Sequence, residues 1–100
     1  SVVAHQDMSK PDLYDAILAL RSRAEAQAFL SDLCTPGEVR ALSERWLVAR
    51  LLDEGELSYR DIAQKAEAST ATVVRVARFL KEMPYKGYRR ILDRLAGKKR

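Results

Sequence analysis

Residues 58–81 read SYRDIAQKAEASTATVVRVARFLK. Two short helical patterns with a turn between them share one set of small apolar positions, which would form a common core. These positions are Ile62, Ala66, Ala68, Val73 and Val76. Ala63 is small where the second helix would cross the first, Ser58 can cap the first helix, and Ser69 or Thr70 can cap the second. The segment is therefore predicted to form a helix-turn-helix of the DNA-binding type.

The turn between these two helices carries an unusual residue. Tight turns of this kind favour glycine because one residue adopts the left-handed backbone conformation, but the corresponding position here is Glu67. A left-handed glutamate costs about 1 kcal/mol or more. The pattern thus leaves the exact course of the turn open, and it also leaves open an ordinary helical hairpin whose apolar positions only fill a core.

If the segment binds DNA, the start of its second helix is suited to meet base edges. The side chains there are short, so that the backbone can approach the bases while hydroxyl and methyl groups touch them. Basic residues nearby can meet phosphates. The residues predicted to contact DNA are Ser58, Tyr59, Arg60, Lys65, Thr70, Ala71, Thr72, Val74, Arg78 and Lys81.

The charge of the chain is distributed unevenly. The net charge is +4, but residues 75–100 contain ten Lys or Arg and two acidic residues, a net of +8, which leaves −4 on the other 74 residues. A positive field concentrated at one end of a chain favours a polyanionic partner. A solvated basic helix and tail that only maintain solubility would give the same count, so the charge alone does not decide the partner.

Four further helices are predicted from apolar spacing, and no segment has a strand pattern. They are expected at about residues 11–21, 22–34, 36–54 and 86–96. Ser22 and Thr35 are each followed three residues later by glutamate, which predicts capped helix starts. The segment 46–52 is apolar almost all the way round, as in a helix surrounded by protein. One short chain hardly supplies enough partners, so we predict an intertwined or closely packed homodimer.

The chain lacks the residues that several functional classes need. The chain has one cysteine, Cys34, and one histidine, His5, so neither a disulfide within the chain, nor a metal site, nor a nucleophilic catalytic set is expected. We therefore predict no enzymatic activity and no cofactor. No apolar run approaches the roughly 20 residues that span a bilayer, and we expect no membrane contact and a cytoplasmic location.

The domain organisation predicted from these patterns is simple. Residues 1–10 are polar and irregular and are expected to be a disordered arm. Residues 11–96 are expected to form a single helical domain that contains the helix-turn-helix at 58–81. Residues 97–100 are expected to be a basic tail.

Several motifs also resemble the Trp repressor family. They are LCTPGE at 33–38, AL at 41–42, Arg45, LL at 51–52, GELS at 55–58, Arg60, ATV at 71–73 and Arg75. The stretches LYDAILAL at 13–20, FLSDLC at 29–34 and ASTAT at 68–72 are most similar to the YerC/YecD branch of that family. The resemblance implies an all-α, intertwined homodimer whose two helix-turn-helix units contact successive major grooves.

The same resemblance implies a possible effector pocket. The family's tryptophan-binding arginines and threonine correspond to Arg45, Arg75 and Thr35, but the family's glycine and serine in that pocket correspond to the larger Val76 and Phe79. A response to L-tryptophan is therefore not expected, and the effector, if there is one, is unknown. Arg45 has an alternative role, in an ion pair between subunits with an acid such as Glu44 or Asp53.

The sequence therefore predicts a sequence-specific, homodimeric regulator of transcription, a repressor, that binds double-stranded DNA. The alternative is an RNA-binding or protein-interaction module that uses the same helices.

Overall fold

The computed structural model describes residues 9–97, which contain six α-helices and no strand. The helices are α1 (Leu13–Leu18), α2 (Arg23–Leu33), α3 (Pro36–Glu54), α4 (Tyr59–Ala66), α5 (Thr70–Lys81) and α6 (Gly87–Leu95). The prediction of an all-α chain with about six helices is confirmed. The chain divides into two compact units, one ending at Val39 and one beginning at Arg40. Most of the predicted arm and tail lies outside the described residues.

Helix α1 is shorter than the sequence predicted. Its N-cap is Asp12, whose carboxylate accepts the Asp15 N–H at 3.0 Å while the Asp15 carboxylate accepts the Asp12 N–H at 2.9 Å. The hydrogen bond from the Asp15 N–H is the main reason that the pKa of Asp12 lies below its usual value. Because this reciprocal cap begins the helix at Leu13, Pro11 precedes the cap and does not occupy the first turn.

The next two helices begin at the residues that the sequence predicted. The Ser22 hydroxyl accepts the Glu25 N–H at 3.1 Å, although the Glu25 carboxylate accepts the N–H of Arg21 and not that of the cap itself. At α3 the exchange is fully reciprocal, since Thr35 Oγ1 accepts the Glu38 N–H and the Glu38 carboxylate accepts the Thr35 N–H. The half-buried Cys34 caps the end of α2.

The core of the second unit is built from α3, α4 and α5. Its buried side chains are Val48, Ala49, Leu51, Leu52, Ile62, Ala63, Ala66, Val73, Val76 and Ala77. Ala68 and Trp46 pack against them while partly exposed. The shared core predicted for the helix-turn-helix is therefore confirmed, and Ala77, which follows Val76 on α5, also belongs to it.

Backbone hydrogen bonds define the turn between α4 and α5. Glu67 has φ 55° and ψ 40°, in the left-handed region. The Ala68 N–H donates to the Ala63 carbonyl at 2.9 Å, and the Glu67 N–H donates to the Gln64 carbonyl at 3.3 Å. These two bonds form a Schellman motif, which ends α4 and satisfies two of its last carbonyls. The turn therefore takes the form that usually contains glycine.

A glycine at this position is expected to stabilise the fold. Glu67→Gly should have a free energy of unfolding about 1 kcal/mol higher than Glu67→Ala, because only glycine adopts the left-handed conformation without a steric penalty. Both variants lose the same carboxylate, so urea denaturation of the pair isolates the backbone effect. Equal midpoints for the two variants would contradict the strained turn.

Helix α6 contains the one buried charged residue among those described. Asp93 is 1% exposed, and its Oδ1 lies 3.4 Å from Nε of Arg89. The same guanidinium pairs with Asp53 at the end of α3. Asp53, considered from the sequence as a partner for Arg45, thus pairs with Arg89 of its own chain. Of the leucines of this helix, Leu92 is buried, whereas Leu95 is 72% exposed.

Candidate nucleic-acid interface

The helix-turn-helix is fixed at both helix starts by serine hydroxyls. Ser58 Oγ accepts the Asp61 N–H at 3.1 Å, and Ser69 Oγ accepts the Thr72 N–H at 3.0 Å. Ser69, not Thr70, is therefore the cap of α5. Ser69 Oγ also lies 3.0 Å from Thr72 Oγ1, so both hydroxyls take part in the cap. The orientation of the start of α5 is thus set by local hydrogen bonds.

The outward face of α5 forms a shallow groove of about 530 Å³. Its lining residues are Thr70, Ala71, Val74, Arg75, Arg78 and Phe79. Val74 is 57% exposed although it follows the fully buried Val73, because the two side chains leave the helix on different sides. The structure thus brings together the short side chains predicted to meet bases, except that Thr72 is half-buried with its hydroxyl at the cap.

The predicted phosphate-binding residues lie on both helices and are exposed. Arg60 and Lys65 belong to α4, and Arg78 and Lys81 belong to α5. Lys81 Nζ lies 5.7 Å from the centre of the Tyr59 ring. This cation–π contact connects the end of α5 with the start of α4 and places an ammonium beside a ring that is itself predicted to contact DNA.

The residues of the possible effector pocket occupy different environments. Thr35 caps α3 in the first unit, and Arg45 is half-buried on α3 in the second. Val76 is 1% exposed and belongs to the core of the second unit. Arg75 and Phe79 lie together on the outward face of α5, with the guanidinium carbon 4.6 Å from the ring centre. The Arg75 guanidinium therefore already has an aromatic contact within its own chain.

One aromatic contact was not predicted from the sequence. Tyr85, in the segment between α5 and α6, stacks against Phe79 with ring centres 6.3 Å apart and an angle of 12° between the planes. Tyr85 is 71% exposed. Pro84 precedes it, and the only signal in the sequence was a second aromatic six residues after Phe79, too weak to place the two rings in contact.

Comparison with known proteins identifies the family of the chain. Residues 10–96 match the family described as Trp repressor protein. The chain belongs to the Trp repressor family. The resemblance noted in the sequence is thereby confirmed, and the helix-turn-helix described above lies inside the matched range.

Individual members of the Trp repressor family support the assignment. YerC of Bacillus subtilis, an uncharacterised protein, is 44% identical over 68 residues, which are 68% of this chain and 64% of YerC. The chain thus spans slightly less than two thirds of that relative. A Trp operon repressor homolog of Chlamydia trachomatis is 36% identical over 72 residues, covering 68% of this chain and 77% of the homolog.

A solved structure extends the likeness to almost the whole chain. The crystal structure of a TrpR-like protein from Eubacterium eligens has a TM-score of 0.81 and 40% identity, and the match covers 95% of this chain and 96% of that one. The two chains therefore share their architecture as well as much of their sequence.

Two further findings concern residues 9–97. No group of three or more His, Cys, Asp or Glu side chains there is arranged to hold a metal ion. None of the helices in this range combines the length and apolar character needed to cross a bilayer.

Proposed function

We propose that the chain is a sequence-specific, DNA-binding regulator that acts as a homodimer and represses transcription. The observation that carries the proposal is the outward face of α5, where short exposed side chains at a capped helix start are bordered by Arg75 and Arg78. Such a helix can enter the major groove and bring methyl and hydroxyl groups to base edges. Membership of the Trp repressor family, a family of regulators and not of enzymes, supports the same function.

The proposed homodimer is supported by apolar side chains that a single chain leaves exposed. In α1, Tyr14 is 73% and Leu18 is 82% exposed, and in α6 Leu95 is 72% exposed. Large exposed apolar surfaces usually mark an interface. A second copy of the chain would also supply the second helix-turn-helix that a two-fold symmetric site requires.

Selection of bound duplexes from a random-sequence library tests the proposal directly. We expect the enriched duplexes to contain two related half-sites in inverted orientation. In a separate measurement, sedimentation of the same protein preparation at micromolar concentration should give a mass twice the 11.3 kDa of one chain. A stable 11.3 kDa monomer would contradict the dimer, and failure to enrich any duplex would contradict DNA recognition. Preference for a structured RNA over every duplex would favour the RNA-binding alternative.

L-Tryptophan is not expected to increase the affinity for the selected duplex. Val76 is buried in the core, and the Phe79 ring is in cation–π contact with Arg75. A charged amino acid placed there would need paired polar groups that these two side chains cannot offer. Titration of the duplex with and without millimolar tryptophan measures the effect. A tenfold gain in affinity, about 1.4 kcal/mol of coupling, would restore Thr35, Arg45 and Arg75 as effector-binding residues.

A further inference from the structure

The contact between Arg75 and Phe79 has a geometry suited to presenting an arginine to a ligand. The two residues are four apart on α5 and therefore lie on one face of the helix. The guanidinium carbon is 4.6 Å from the ring centre, within the range of a cation–π contact. Arg75 is exposed, whereas Phe79 is half-buried. The ring is thus the more firmly held of the two side chains.

The ring is in turn in contact with a second aromatic residue. Tyr85 stacks almost parallel to Phe79, at 12° between the planes. An arginine side chain normally has many rotamers, and ordering it on binding costs conformational entropy. A ring fixed by its own neighbour can limit those rotamers before any ligand arrives, which lowers that cost.

The donors of Arg75 are not used by an acidic partner within the described chain. No carboxylate lies within 4.0 Å of its guanidinium among residues 9–97, where the ion pairs involve Lys10 and Arg89. A cation–π contact, unlike an ion pair, leaves the N–H groups of a guanidinium without a charged acceptor, so they can still donate to a ligand. Planar donors of this kind match the oxygens of a phosphate group.

The location of the pair indicates which phosphate it would meet. Arg75 and Arg78 line the same groove as Ala71 and Val74, the residues proposed to face the bases. A cation at the margin of a helix that enters the major groove lies near the sugar–phosphate backbone. We propose that Arg75 binds a DNA phosphate and that Phe79 is a positioning residue that holds its guanidinium for that contact. The inference rests on the proposed DNA-binding function.

A double-mutant cycle on the selected duplex tests this inference. Arg75→Ala is expected to weaken binding about tenfold or more and to reduce the magnitude of the salt slope by about 1.8, for one phosphate contact in each subunit. Phe79→Leu, which removes the aromatic face but stays apolar, is expected to weaken binding about tenfold. Phe79→Tyr should bind like the wild type. In the Arg75→Ala background, Phe79→Leu should have no further effect.

Two controls separate the positioning role from a structural one. The Arg75 Nε–H resonance should shift between the wild type and Phe79→Leu, because the ring current of Phe79 acts on a guanidinium in contact with the ring. The midpoint of thermal unfolding of the two proteins should be similar if Phe79 acts by positioning Arg75. Arg23→Ala removes an exposed arginine from α2 and should leave DNA affinity unchanged.

The outcomes distinguish failure of the inference from failure of the proposed function. If the wild type binds no duplex, the proposed function is wrong and the inference falls with it. If the wild type binds and Arg75→Ala binds equally well, only the inference is wrong. A Phe79→Leu effect that is equal in both backgrounds would assign Phe79 a purely structural role and would also overturn the inference.

Discussion

Raising the salt concentration from 50 to 200 mM is expected to weaken binding to the selected duplex about 10⁴- to 10⁵-fold. Arg60, Lys65, Arg78 and Lys81 are exposed on the two helices of the DNA-binding unit, and a dimer presents each of them twice. Each neutralised phosphate contributes about 0.9 to the slope of log K against log salt, so the eight contacts from these four residues give a slope of about −7, and the contact proposed for Arg75 would raise its magnitude to about 9. Fluorescence anisotropy over a series of salt concentrations measures this slope.

Single substitutions show whether the slope arises from these residues. Arg60→Ala should reduce its magnitude by about 1.8 and weaken binding to selected and unrelated duplexes alike, because a phosphate contact carries no base information. The matched control, Arg23→Ala, should keep the wild-type slope. A wild-type slope near zero would remove the electrostatic basis of the proposed DNA binding.

Val73→Ala and Val74→Ala are expected to differ strongly although they remove the same two methyl groups from adjacent residues. Val73 is 0% exposed and lies in the core, whereas Val74 is 57% exposed on the groove. Deleting buried methyl groups loses both transfer free energy and packing, so Val73→Ala should lower the free energy of unfolding by about 2 kcal/mol. Val74→Ala should change it by less than about 0.5 kcal/mol.

The same pair of variants should separate stability from recognition. Val74→Ala should bind the selected duplex more weakly while it unfolds like the wild type, because the valine methyl groups are proposed to meet a base edge. Urea denaturation must be compared at one protein concentration, since dissociation of a dimer contributes to unfolding. Equal destabilisation by the two variants would mean that α5 packs with a different face toward the core.

The features that the sequence predicted correctly are local. Caps such as Thr35 with Glu38 are specified within four residues, and the core of the helix-turn-helix follows from helical spacing on either side of one turn. The sequence indicated a left-handed Glu67 but did not establish it. That backbone conformation is stabilised by hydrogen bonds to the Ala63 and Gln64 carbonyls, which residue types alone do not predict. The early end of α1 at Leu18 was also missed.

The features that the sequence did not predict need partners distant along the chain or on different elements. The stacking of Tyr85 on Phe79 depends on the path of the segment after α5, which apolar spacing does not describe. Asp93 resembles a surface acid in an i,i+4 pair with Arg89, and only the packing of α6 makes it buried. The exposed side chains at the start of α5 were predictable as a group because helical spacing separates them from the buried ones, but the cation–π pairing of Arg75 was not.

The linkage of Asp53, Arg89 and Asp93 has an evolutionary consequence. A mutation that replaces Arg89 alone would remove a cation that contacts two carboxylates, one of them buried, and is expected to be destabilising. A mutation of Asp93 alone would alter the same buried cluster. Neutral drift at these three sites is therefore constrained to correlated changes, so that divergent descendants of this chain should retain the trio or exchange it together for apolar residues.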